Sequence, residues 1–124
     1  LRTTNTPQLI CPHKEDRYTV NDTIIGNGQL SYPVGLLTAD EATLAGGYRT
    51  TANSSYYLYT NQYYWLVSPY YVTSNDAIEF RLYSVGSVTY NDVDNTNGVR
   101  PVVSLSSELS VSGSGHWNDP YIVE

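Results

Sequence analysis

From Tyr63 onward short stretches of the chain alternate in side-chain character with a period of two, which fits strands and not helices. Ile78, Phe80 and Leu82 alternate with Glu79, Arg81 and Tyr83, the signature of a strand with one face buried. Tyr64, Leu66 and Ser68 alternate with Tyr63, Trp65 and Val67, so that strand carries apolar bulk on both faces and is expected to be buried. Gly86 turns the chain into a third strand over 87–93, where Val88 alternates with Ser87 and Thr89. Residues 94–98 read as a turn, 99–105 as a mostly apolar strand with Pro101 near its start, and 110–112 as a short strand. A Gly-rich turn over 113–119 then leads into a terminal strand, Pro120-Tyr121-Ile122-Val123.

The first half is less regular. Residues 1–12 carry Pro7 and Pro12 and read as an arm with one short strand at 8–11. Residues 17–20 are β-prone, Asn21-Asp22 and Gly26-Asn27-Gly28 are turn signals, and 32–37 is a short apolar strand that Pro33 confines to an edge or a strand start. One helix is convincing. Thr38-Ala39-Asp40-Glu41 is a capping box, Leu37 and Ala42 flank it as a weak hydrophobic staple, and Gly46-Gly47 is the stop. The helix is expected to pack through Ala42, Leu44 and Ala45. Its paired carboxylates, Asp40 and Glu41, serve the cap and the helix dipole rather than acid–base chemistry. Residues 48–62 are polar, Tyr-rich and read as a long loop. The whole is expected to be α+β, with one or two short helices and seven or eight short strands. Residues 1–16 form the arm and 17–124 a single domain.

Composition removes several functions. The net charge is −6, with one lysine and five scattered arginines, so the positive footprint that nucleic acid demands is missing. Cys11 is the single cysteine, which excludes an internal disulfide and a multi-thiolate zinc site. Two readings stay open for it: a bond to another chain, or a small buried apolar side chain. His13 and His116 lie near opposite ends and read as surface or turn residues. No nucleophile elbow, phosphate loop or dinucleotide fingerprint occurs, and Gly26-Asn27-Gly28 lacks the helix a phosphate loop needs. No loop has EF-hand spacing. We expect no enzyme activity, no cofactor and no metal. Without a methionine the chain is expected to begin inside a longer product or after processing. No apolar run approaches a signal or membrane-spanning length, so any anchor or export signal is expected upstream, and no direct membrane insertion by this segment.

The palette between residues 63 and 101 points to recognition. Tyr supplies a stiff amphipathic contact surface, and Ser, Asn and Gly supply adaptable hydrogen bonds at low ordering cost. Three segments in order sharpen this. They are Tyr32-Pro33-Val34-Gly35-Leu36-Leu37-Thr38-Ala39-Asp40-Glu41-Ala42-Thr43-Leu44-Ala45-Gly46-Gly47, then Tyr64-Trp65-Leu66-Val67-Ser68-Pro69-Tyr70, then Gly98-Val99-Arg100-Pro101-Val102. Together they resemble a C-type-lectin-like domain of the branch shared by formylglycine-generating enzymes and the variable proteins of diversity-generating retroelements. The first is similar to that branch's strand-to-helix passage, the second to the Trp-x-x-Ser segment opening the variable region, the third to the Gly-Val-Arg-Pro strand closing it. The ordering over 17–124 also resembles domains of gut Firmicutes and their phages, some with pilin-like N-terminal segments.

The resemblance implies a fixed frame that displays diversified residues on one outer face to bind a ligand. Over 70–97 it implies Tyr71, Thr73, Asn75, Asp76, Glu79, Arg81, Tyr83, Thr89, Tyr90, Asn91, Asp92 and Asp94, taken as loop residues or as facing away from Ile78, Phe80, Leu82 and Val88. The implied partner is a protein or glycan on another cell or virion, met at an extracellular, cell or virion surface. A structural subunit, such as a pilin-like or phage-fibre head whose Tyr-rich face mediates assembly, is the alternative. Departures matter as much. The cysteine pair of the formylglycine-generating enzymes is missing, and so are the Glu-Pro-Asn and Gln-Pro-Asp loops of calcium-dependent sugar lectins. Trp117-Asn118-Asp119 matches a second calcium-ligand triplet of those lectins, but its place before the last strand suits a turn better.

Overall fold

The structure, a computed structural model, describes residues 6–115 and 118–124. His116 and Trp117 lie outside the described residues, as does the start of the arm. A 3-10 turn at Lys14–Asp16 is followed by β1 (Val34–Gly35), α1 (Ala39–Leu44), β2 (Tyr64–Val72), β3 (Ala77–Leu82), β4 (Val88–Asp92), β5 (Val102–Val103), β6 (Val111–Ser112) and β7 (Ile122–Val123). They form three antiparallel sheets, β1-β5, β2-β3-β4 and β6-β7. Small antiparallel sheets with one short helix make an α+β arrangement, as the alternating pattern implied.

The helix forms as its sequence dictates. Thr38 Oγ1 accepts from the Glu41 N–H at 3.0 Å, and the Glu41 carboxylate accepts from the Thr38 N–H at 2.8 Å, so two of the end's orphan donors are satisfied reciprocally. Asp40 accepts from the Gln8 N–H at 2.8 Å and so ties the arm to the helix. Ala39 and Ala42 are fully buried and Ala45 packs beside them, but Leu44, expected in the interface, is 51% exposed. At 3.6 residues per turn a position two beyond Ala42 lies on the opposite side, so Leu44 faces outward.

Beneath the helix sits the core: Leu58, Tyr64, Leu66, Phe80, Leu82 and Val88. The expected half-buried pattern of β3 holds, with Phe80 and Leu82 sunk on one face, whereas β2, expected to be buried on both faces, sinks only Tyr64 and Leu66. Trp65 and Val67, on the other face of β2, are only half-buried, so that strand is not enclosed on both sides. Ser68 has a structural task, accepting the Ala39 N–H at 2.9 Å, and Val67 N–H donates to Leu37 O at 2.9 Å; together they seat the helix start on β2.

The Gly-Val-Arg-Pro run is also structural. Gly98 pairs with β2 through Trp65 N–H to Gly98 O and Gly98 N–H to Tyr63 O, both 2.9 Å. A Cβ at Gly98 would lie 2.9 Å from Tyr63 O, so only glycine permits this approach. Arg100 Nη1 donates to Leu58 O at 3.0 Å and its guanidinium lies over the Tyr64 ring, with centroid distance 5.4 Å. The same carbonyl accepts from Tyr64 OH at 2.9 Å. Residues 48–62 are a long loop, as expected, but a bolted one: Val88 N–H donates to Tyr48 O, Asn53 N–H to Val85 O, and Tyr56 OH to Gly86 O. Desolvation pushes the Tyr56 phenol up to about 12.

Several expected elements are shorter or missing. Residues 8–11 form no strand, and 17–20 contribute only a bridge between Val20 and Gln29. Of 99–105 only Val102 and Val103 pair, because Pro101 lacks a donor and Arg100 is engaged elsewhere. The two turn signals stand: the Asp22 carboxylate accepts from Ile25 and Ile24 N–H, which holds its pKa below the usual value. Cys11 is half-buried rather than sunk, with its thiol donating to His13 O at 3.3 Å. His13 is exposed. Before β7, the Asp119 carboxylate accepts from Ser114 N–H at 2.9 Å, a turn role. Among the described residues no helix is long and apolar enough to cross a membrane.

Candidate ligand-binding face

Helix α1 covers one face of the β2-β3-β4 sheet, which leaves the opposite face to carry the side chains that alternate with the core. Register decides which they are. Glu79 pairs with Asn91 and Arg81 with Thr89, while Trp65 pairs with Arg81. Paired residues on antiparallel strands point to the same side, so these five share the outer face. Tyr83 continues the same parity past the end of β3, and its ring meets Tyr63 edge-on at 4.9 Å.

Arg81 is the centre of this cluster. Its guanidinium lies 4.9 Å from the Tyr63 centroid and 5.4 Å from that of Tyr83, and Nη1 donates to Asn97 Oδ1 at 3.0 Å. Arg81 Nε and Asn97 Nδ2 are shielded from solvent with no hydrogen-bond partner among the described residues. A buried donor left unpaired is unfavourable by about 1–3 kcal/mol, so the cluster is short of acceptors. Desolvation raises the Glu79 carboxyl above its usual value. Hydrogen bonding with Ser84, then Tyr83, lowers the Tyr63 phenol, and the Tyr63 neighbour raises Tyr83.

The twelve display positions read from sequence therefore do not share one face. Glu79, Arg81, Tyr83, Thr89 and Asn91 come together as described. Tyr71, Tyr90 and Asp92 do not: Tyr71 falls opposite Ile78, Tyr90 opposite Phe80 and Asp92 opposite Ile78, on the core side. Tyr90 and Asp92 follow Val88 at steps of two, so the pleat returns them to its face. Tyr71 is carried there by the one-residue register shift in β2 between Pro69 and Tyr71; the earlier shift, between Trp65 and Pro69, is of two residues and keeps parity. Tyr90 stacks on Tyr70 at 4.2 Å, Tyr70 meets Phe80 edge-on at 5.1 Å, and Arg49 Nη2 donates to Tyr70 OH at 3.0 Å. This second aromatic group rims the core.

Thr73, Asn75 and Asp76 form the β2–β3 turn. Thr73 Oγ1 accepts from the N–H groups of Asp76 and Asn75, and Thr73 N–H donates to Asp76 O at 2.8 Å. Asp94 lies in the turn after β4, accepting from the Asn95 side chain. Tyr63, Trp65 and Asn97 belong to the outer cluster and were not singled out. Tyr63 and Trp65 were legible, because they have the outer parity of their strand; Asn97 was not, since a loop has no period. Among the described residues no group of His, Cys, Asp and Glu could hold a metal. Comparison with known proteins finds no match: no family model, no curated protein and no solved structure is significantly similar to the chain.

Proposed function

We propose that this chain is a ligand-binding display domain of the diversity-generating retroelement type, working at an extracellular, cell or virion surface without enzymatic chemistry. One observation carries the reading. The face of the central sheet away from the helix presents a Tyr63–Arg81–Tyr83 cluster flanked by Trp65, Glu79, Thr89 and Asn91. Aromatic and arginine side chains held against a rigid sheet are the kind that dominate binding energy. A face that mixes tyrosine rings with Thr89, Asn91 and Glu79 favours a polar ligand, such as a glycan or a polar protein surface. The core-side residues Tyr71, Tyr90 and Asp92 fall outside this binding face, and the turn residues Thr73, Asn75, Asp76 and Asp94 lie at its margins.

The test is a screen of labelled chain against glycan and protein arrays, followed by substitution. Arg81→Ala and Tyr83→Ala are each expected to weaken the captured interaction by about 1–4 kcal/mol where they are hot spots. Tyr121→Ala, in the separate β6–β7 ribbon, is expected to leave it unchanged. Undiminished binding after both face substitutions would sink the reading. A template copy beside a reverse transcriptase gene, differing over 70–97 only at adenines, would identify the diversifying system. The alternative, a structural head subunit, draws support from the apolar side chains exposed between Val99 and Val123.

A further inference from the structure

The polypeptide exposes more surface than its mass explains. A compact monomer of 13.8 kDa exposes about 6,600 Å², whereas this chain exposes 8667 Å². The surplus of roughly 2,000 Å² exceeds the 600–1,000 Å² that each partner contributes to a standard stable interface.

Two apolar features stand open on this surface. The first is the β6–β7 ribbon, whose strands pack on each other and on no other element to a comparable extent. Val111 (51%), Tyr121 (65%), Ile122 (61%) and Val123 (49%) are exposed along it. An isolated two-stranded ribbon is marginal in water. Exposed edges are normally blunted by lysine, proline or inward charge, yet residues 109–123 hold no lysine or arginine, a single proline, Pro120, which lies ahead of β7, and a single carboxylate, Asp119, which is committed to its turn. The second is an open cleft of about 1220 Å³ between the arm and the β1–β5 pair, lined by Leu9, Ile10, Val34, Val67, Val102 and Val103 among others. Among the described residues none beyond Ser104 lines it, so β6 and β7 of the same chain do not fill it.

We infer that the cleft of one copy receives the β6–β7 ribbon of a second copy, and that the exchange is reciprocal, giving a two-fold dimer. A self-complementary pair of this kind closes on itself and leaves neither apolar feature exposed. The cleft touches the outer sheet face only at Val67, and Tyr63, Trp65, Arg81 and Tyr83 do not line it, so the dimer leaves both Tyr63–Arg81–Tyr83 clusters open and stands whether or not the ligand-binding proposal holds.

Cys11 lines the cleft and is the single cysteine, which makes it a built-in probe. Light scattering of the unaltered chain is expected to give twice 13.8 kDa. Ile122→Lys combined with Val123→Lys is expected to give a monomer with an unchanged far-ultraviolet spectrum. Tyr121→Cys and Val123→Cys, oxidised separately, are expected to yield a disulfide-linked dimer through Cys11 in at least one case. A monomer at the highest soluble concentration overturns the inference, as does a dimer that survives the double lysine variant. A disulfide formed only within one chain would place the ribbon in its own cleft and equally overturn it.

Discussion

Replacing Phe80 with alanine is expected to lower stability by about 3–5 kcal/mol, a large part of the 5–15 kcal/mol that holds a domain folded. Phe80 is 2% exposed and occupies the middle of β3, under Ala39 and Ala42 and against the edge of Tyr70. Removing the ring takes away its buried apolar area and leaves a cavity between sheet and helix that Ala39 and Ala42, the buried residues of the short helix, cannot fill. Urea unfolding should show a lower midpoint with an unchanged slope, since the surface exposed on unfolding is nearly the same. A loss below about 1 kcal/mol would mean that Tyr70 and Tyr90 collapse into the space, and the core assignment would then be wrong. Phe80 also fixes which way its neighbours point: with the ring seated inward, Glu79 and Arg81 must project outward.

Gly86→Ala is expected to be comparably damaging, for reasons of backbone rather than burial. Gly86 has φ of 83°, a conformation unfavourable by about 1–3 kcal/mol for a residue with a side chain. It closes the β3–β4 hairpin, with Gly86 N–H donating to Tyr83 O and Tyr83 N–H to Ser87 O, both at 2.8 Å. An added Cβ would collide with the backbone carbonyl of Asn53, where residues 48–62 cross the hairpin. The clash adds to the conformational term, and the loop must move. That would break Asn53 N–H to Val85 O and strain the Tyr56 hydroxyl's bond to Gly86 O. Thermal unfolding by circular dichroism checks it, and an unshifted midpoint would show that the loop is not held there. Because Tyr83 sits in this hairpin, ligand binding should weaken in step.

Much of this was readable without coordinates. The capping box at Thr38 and Glu41 predicted the helix because its hydrogen bonds are made within four residues. The alternation through Ile78, Phe80 and Leu82 predicted a half-buried strand because the pleat is a property of the backbone itself. Short apolar runs such as 8–11 and 99–105 misled because strand formation needs a partner edge, which no local signal reports. The binding face was half legible. Parity identified Glu79 and Arg81 in one strand, and pairing carried Thr89 and Asn91 beside them. Tyr71 was misplaced because the one-residue register shift of β2 cannot be read from the strand alone.

The order of residues by itself determined the local elements: the capped helix, the pleated alternation of β3, and the tight turns at Asp22, Thr73 and Gly86. Their bonds span only a few residues, so the chain carries the whole instruction. Only the tertiary structure decided which tyrosines stand together, that Arg81 lies between Tyr63 and Tyr83, and that Asn97 reaches it from a loop. It also showed Ser68, Gly98 and Arg100 as fasteners between distant segments. Such contacts depend on strand register and loop path, which are set by the packing of the whole chain and leave no periodic trace in any one part of it.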